Sequence, residues 1–381
     1  MLISLKKLVS NLVAINSVFP NENRLAGYLS SFFKTKKYKP IFQTVEKNRC
    51  NIILEKGKGN QSIILYSHLD TVDVTDGWRT NPFKLTVRGD RGYGLGSWDM
   101  KGGMAVNILT FLNFFPKNYK LKLIFCVDEE NISKGAYQLV NSGFIENAEC
   151  LISTEPAFKY GTRGIVTGRI GRAVYNVEVT TPSKHFAFYN ARNDVNLFVG
   201  EFLRQLKKLN KQTSKEKKQF IFARKIISQS IGMSLPQTTI LELDSSIVPP
   251  LTSYDMLNRI KNIGLRLNNK FSDYFKIKID FVKRKTPFLE SYEINKNNLY
   301  FKLLKQSVVQ VINRNVQPYF RSSVADENVF GAKGITVLGI GPKGRNAHGP
   351  DEWVSISSLE KLYQILNNFL TRIDKISDSS L

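Results

Sequence analysis

The sequence predicts an α/β layer built from both ends of the chain and interrupted by a smaller α+β domain. Three observations carry that expectation. Short apolar runs of strand length alternate with helix-period stretches in the first third of the chain. The same alternation returns in the last third. Between them the strand-like segments change from continuous apolar runs to apolar–polar alternation. A chain of 381 residues has room for two or three domains of roughly 150 residues each.

Residues 2–13 and 23–33 have helical spacing. Residues 63–67, 121–127 and 150–154 read as buried strands, and 104–115 is an apolar helical stretch closed by Pro116. Strands alternating with helices specify a mostly parallel sheet. In the middle, 173–180, 238–243 and 276–282 alternate as strands. Helical stretches 194–209 and 253–267 lie between them, the second with Ser253 as N-cap. That order suits a ferredoxin-like α+β sandwich. Residues 283–287 read as a link. The first pattern then resumes with a helix at 299–312, a strand at 335–340 and a helix at 355–373. The expected division is residues 1–165 with 285–381 in one domain and 166–284 in the insertion.

Composition narrows the function classes. Hydrophobic residues make up 42% and charged residues 23%, which is enough apolar material for a core and excludes disorder as the main state. The longest charge-free run, 226–241, contains Ser, Gln, Thr and Pro and does not read as a membrane span. Asn and Ser interrupt 8–20, so the start is not expected to be a signal peptide. The three cysteines contain no C-x-x-C pair, which points to a reducing cytosol and away from disulfides or thiolate metal sites. Lys+Arg is 55 and Asp+Glu is 32, giving a net charge of +23. The basic residues are spread along the chain. Their densest cluster, Lys207 to Lys218, lacks the aromatic or glycine interleaving of a strand-binding groove. It reads as a solvated face, and nucleic acid is not expected as a partner.

The chemistry starts from histidine. The chain has three, His68, His185 and His348, each beside a turn or strand end. His68 and Asp70 are two apart at the end of an apolar strand, so both point to one side of an extended chain. Asp99 lies in Gly94-Leu-Gly-Ser-Trp-Asp-Met-Lys-Gly-Gly103, as either a helix N-cap or a ligand. Asp128, Glu129 and Glu130 close a second strand. Three adjacent carboxylates at a buried strand end are costly unless cations neutralise them. Because successive side chains diverge, one glutamate can bind metal while its neighbour acts on a water. Glu155 closes a third strand, and His348 follows a fourth. A His, Asp and Glu set at strand ends suits hydrolytic divalent ions, zinc above all.

The blocks Ser67-His-Leu-Asp-Thr-Val72, Gly94 to Gly103, Asp128-Glu-Glu130, Thr154-Glu-Pro156 and Ala347-His348 with Asp351-Glu352 resemble one family. It is the two-zinc amidohydrolase and peptidase family of acetylornithine deacetylase, succinyl-diaminopimelate desuccinylase, aminoacylase and glutamate carboxypeptidase. Trp78 with Pro82-Phe83 matches that family's spacer, and the order agrees over nearly the whole chain. The resemblance implies a zinc-peptidase-like α/β catalytic domain with an inserted ferredoxin-like lid that forms a homodimer. It implies that Asp99 bridges two metals, that His68 and Glu155 complete one site, and that Glu130 and His348 complete the other. The metals would be zinc, with cobalt or manganese as alternatives. Glu129 would be the general base on the attacking water, and Asp70 would hold the His68 ring. His185 would stabilise the oxyanion from the lid, in its own chain or across the dimer, and Asn190 would touch substrate.

There are departures. Asp73 stands where the family has Pro, and Leu95 where it has Arg. The stretch between His185 and Asn190 is short, and Ser245-Ser246 replaces an expected Arg. The expected activity is cytoplasmic hydrolysis of an N-acyl amino acid. A di- or carboxypeptidase is the alternative, and a non-catalytic binding protein is the rival outside enzymes. The acyl group and amino acid are not encoded in any motif found here.

Overall fold

A computed structural model describes residues 3–378. The chain begins with helices α1 (Leu5–Val13) and α2 (Asn23–Thr35), followed by a hairpin of β1 (Ile41–Glu46) and β2 (Arg49–Gly57). Strand β3 (Ser62–His68) is followed by helix α3 (Gly102–Asn113), then β4 (Lys120–Cys126), α4 (Lys134–Val140), β5 (Ala148–Ser153) and β6 (Gly164–Arg169). The insertion contributes β7 (Gly171–Thr180), α5 (Val195–Leu206), β8 (Lys218–Ser228), β9 (Thr238–Ile247), α6 (Ser253–Lys270) and β10 (Lys276–Phe281). The return adds α7 (Leu299–Ile312), α8 (Glu327–Ala332), β11 (Thr336–Gly339), β12 (Trp353–Ser355) and α9 (Ile356–Asp378).

Two compact units result. The first comprises residues up to Gly168, Ile294–Tyr319 and the chain from Ala325 onward. The second comprises Arg169–Glu293 and Phe320–Val324. The insertion thus ends nine residues beyond the expected 284, since 293 − 284 = 9. The reason is hydrogen bonding: Arg172 N donates to Leu289 O at 2.8 Å, and Ser253 N donates to Glu290 at 2.9 Å.

In the first unit β4, β3, β5 and β11 lie side by side and parallel, in that order. All four therefore end on the same edge of the sheet. The antiparallel hairpin β1–β2 extends the β4 side. The core joins the sheet to α1, α2, α3, α7 and α9. Helix α3 is buried from Gly102 to Phe111, as a helix apolar on every face must be. Where the chain is polar inside that helix there is a reason: Asn107 Nδ2 lies 2.8 Å from Tyr66 O, 3.0 Å from Ser67 Oγ and 2.9 Å from Thr154 Oγ1, tying α3 to the ends of β3 and β5.

In the second unit the order β8, β9, β7, β10 is antiparallel throughout, with its own apolar core. Counting β8, the connectivity is the full β-α-β-β-α-β arrangement of the ferredoxin-like sandwich. The α6 N-cap is Thr252 instead of the expected Ser253. Thr252 Oγ1 accepts from Asp255 N at 3.1 Å and Asp255 accepts from Thr252 N at 2.9 Å, a reciprocal capping box. Ser253 is instead bound to Glu290. Among the described residues no helix is long and apolar enough to cross a membrane.

Candidate active site

The shared edge of the four parallel strands gathers the expected chemistry. His68 is the last residue of β3. Glu129 and Glu130 follow β4, Glu155 follows β5, and His348 lies in the loop between β11 and β12. Asp99 sits in the turn Ser97–Lys101 ahead of α3. The cap of α3 is Lys101, with no side-chain cap bond, so Asp99 is free of capping duty.

Three groups of side chains each bring their ligand atoms within 4.8 Å of one another: His68, Asp99 and Glu155; Asp99, Glu130 and His348; and His68, Glu129 and Glu130. Asp99 belongs to two of them and divides its oxygens between them. Oδ1 lies 3.4 Å from His68 Nε2, and Oδ2 lies 3.3 Å from His348 Nε2. Glu155 approaches His68 Nε2 at 3.3 Å, and Glu130 approaches His348 Nε2 at 3.0 Å. His68 is fully buried, whereas the His348 side chain is 52% exposed, so one end of the cluster opens to solvent. His348 has φ 63°, a left-handed conformation that is uncommon for a side-chain-bearing residue and is held here by the loop. Asp351 ties that loop to Arg79, whose backbone N donates to it at 3.1 Å.

The electrostatics describe a place short of positive charge. Burial pushes the Glu129 carboxyl well above its ordinary range, and the charges of Glu155 and Glu130 push the same way. Burial raises Glu130 as well, against the pull of His348. Burial alone would lower His68, but Asp70, Asp99 and Glu155 outweigh it and raise it well above the usual histidine range. Hydrogen bonds from Asp99 and Glu130 push His348 up to about 10. Divalent cations between these groups would remove both strains, and the His, Asp and Glu donor set fits two of them.

Asp70 holds His68 differently from the expectation. Its backbone carbonyl lies 2.9 Å from His68 Nδ1, and its carboxylate is 3.6 Å from that atom. The carboxylate instead accepts from Glu130 N at 2.9 Å and Glu129 N at 3.3 Å. One residue therefore orients the ring and both glutamates. Asp128 takes no part: it is buried and accepts from Arg49 at 2.8 Å and from Lys134 N at 3.0 Å.

His185 and Asn190 are in the second unit, outside this cluster. Both are exposed. His185 Nδ1 accepts from Ala187 N at 3.3 Å, and Asn190 Oδ1 accepts from Arg192 N at 2.9 Å.

Some supporting residues have a role that the sequence does not indicate, although Glu352 falls in one of the blocks that carry the family resemblance. Buried Glu352 accepts from Gly96 N at 2.7 Å, Trp98 N at 2.7 Å and Asp99 N at 2.9 Å, and so fixes the turn that presents Asp99. Burial raises Glu352 to about 8 although these three amides favour its charged form. Buried Asp326 accepts from Tyr66 Oη at 2.6 Å behind β3. A buried amide in a largely apolar helix was a usable signal for Asn107; Asp326 offered none.

A parallel-centred sheet that gathers paired carboxylate–histidine clusters at one edge is an arrangement able to hold divalent cations. The chain belongs to the peptidase family M20/M25/M40, which matches it over residues 64–372. It is 28% identical over 221 residues to the "Probable succinyl-diaminopimelate desuccinylase" of Staphylococcus aureus strain Mu50, covering 55% of this chain and 54% of that protein. It is 29% identical over 165 residues to the acetylornithine deacetylase of Buchnera aphidicola subsp. Acyrthosiphon pisum, covering 42% of this chain and 41% of that one. The matches thus span about half the length of these curated relatives. In fold it is similar to a dinuclear metal-binding peptidase of the M20 family from Bacillus subtilis, with a TM-score of 0.73 at 11% identity over 97% of this chain and 98% of that one.

Proposed function

We propose that this chain is a two-metal hydrolase that cleaves the amide bond of an N-acyl amino acid. The observation that supports the reading most is Asp99, whose two oxygens face two separate histidine–glutamate pairs. In this reading Asp99 is shared by both ions, His68 and Glu155 hold one, and Glu130 and His348 hold the other. Two bound cations, zinc first and cobalt or manganese as substitutes, lower the pKa of water and polarise the scissile carbonyl. Glu129 takes the proton from the attacking water and delivers it to the leaving nitrogen.

His185 supplies a donor to the carbonyl oxygen from the insertion, and Asn190 contacts substrate. The insertion is also the dimer surface. Phe222, Ile226 and Ile227 on β8 are 51%, 55% and 47% exposed, apolar side chains left uncovered along this strand. The protein works in the cytosol, where Cys50, Cys126 and Cys150 stay as the free thiols they are here.

The second reading is a di- or carboxypeptidase, supported by the family's membership of peptidases. A panel of N-acyl amino acids and dipeptides, offered to the metal-loaded protein, separates the two. Turnover of acyl amino acids supports the first reading and turnover of dipeptides alone the second. Turnover of neither, with metal bound, overturns both.

A further inference from the structure

A second concavity lies in the first unit, apart from the residues of the metal cluster. It encloses about 690 Å³, within the ~300–1,000 Å³ range of small-molecule sites. Five cations line it: Lys159, Arg163, Arg314, Lys343 and Lys361. They arrive from four separate stretches of chain, so the topology gathers them and sequence proximity does not. The one carboxylate in the lining is Asp90. It is already committed to the start of α9, accepting from Ser355 Oγ at 2.6 Å and Ser357 N at 2.8 Å.

Several cations elsewhere in this unit meet acids. Arg49 pairs with Glu22 and Asp128, Arg79 with Asp351, and Lys134 with Glu46. Among the described residues Arg163, Arg314 and Lys361 form no such ion pair, and Lys343 feels the charge of Asp90 without coming within salt-bridge distance of it. Like charges that share a concavity repel one another, and a multivalent anion placed among them turns that repulsion into attraction. Two guanidiniums add the forked geometry that matches phosphate oxygens in pairs. The aromatic face of Tyr160 and the exposed ring of Phe158 stand in the same wall.

We propose that this concavity is a binding site for a small polyphosphate-type anion, distinct from the amide-hydrolysing site. The wall also reaches the metal cluster. Phe158 is three residues past Glu155, and its ring packs edge-on against Trp98 at 5.0 Å, next to Asp99. Lys343 stands in the loop that leads to His348, and Trp98 Nε1 donates to the neighbouring Pro342 O at 2.9 Å. An anion held here therefore braces three segments that present metal ligands.

The test is calorimetric titration of inorganic pyrophosphate into the metal-loaded chain at near-physiological salt. Three proteins are compared: the parent, Arg163→Ala/Lys343→Ala, and a control, Lys207→Ala/Lys208→Ala, that removes the same charge from the insertion. Saturable binding to the parent is expected, weakened about tenfold or more in the pocket variant through two lost charged contacts and unchanged in the control. Arg314→Ala/Lys361→Ala, altering different parts of the lining, should weaken it similarly. Equal binding in all the variants would place pyrophosphate at the metals or on the general surface and overturn the proposal. Equal weakening in the control would reduce the effect to net charge and overturn it too. Absence of binding to the folded parent ends it outright.

Discussion

Glu129 and Glu130 are adjacent in sequence and both group with His68, but only Glu130 also reaches His348, at 3.0 Å. Glu129→Gln should keep the metals, because the proposed ligands are intact, and lower kcat by about 10²–10⁴ as a lost general base does. Steady-state kinetics with elemental analysis of the same sample checks both halves. Glu352 makes a different prediction. Glu352→Gln turns an acceptor-only side chain into one that presents an N–H to backbone N–H groups. It should cost about 1–3 kcal/mol for the unsatisfied buried donors and loosen metal retention through Asp99, both readable by denaturant unfolding and by metal titration. Much of this was legible at the residue scale. Three histidines, each beside a turn or strand end and two of them, His68 and His348, with acids close by in sequence, point to the cluster without any structure. The role of Glu352 was not legible, because its acceptors' partners lie more than 250 positions earlier and are backbone amides, which every residue has.

At the scale of elements, continuous apolar runs gave the parallel strands, and α7 falls on the expected 299–312. Two classes of element escaped. The hairpin of β1 and β2 mixes charges into its strands because it lies toward the sheet's edge. Strand β8 follows the lysine cluster and exposes apolar side chains on its outer face, so neither alternation nor a buried run marks it. Tertiary packing likewise decides Gly341. A Cβ there would stand 1.8 Å from Glu155 O, so the second residue after β11 can only pass the end of β5 as glycine. Gly341→Ala should therefore push Glu155 out of place. The expected result is a loss of about 1–3 kcal/mol, the scale of overpacking, together with reduced metal content. Unchanged metal content in a folded variant would show that Glu155 tolerates the shift.

Across the whole molecule, one unit gathers carboxylates and histidines, and the other carries His185 in the loop that follows β7. His185→Ala should fold, keep its metals and lose about 10²–10³ in kcat with little change in KM, the scale of one oxyanion donor. If the histidine acts across a dimer, mixing His185→Ala with Glu129→Gln subunits restores part of the activity. Confirmed subunit exchange without rescue assigns it to its own chain. Every step of the proposed reaction depends on two metal sites that share Asp99. Elemental analysis of the zinc-reconstituted parent beside Asp99→Asn tests that arrangement most directly. The parent should carry about two ions per chain, as a two-metal centre requires, and the variant should lose most of that complement while remaining folded. A parent that binds a single ion or none at saturating zinc, or a variant that retains both, would contradict it.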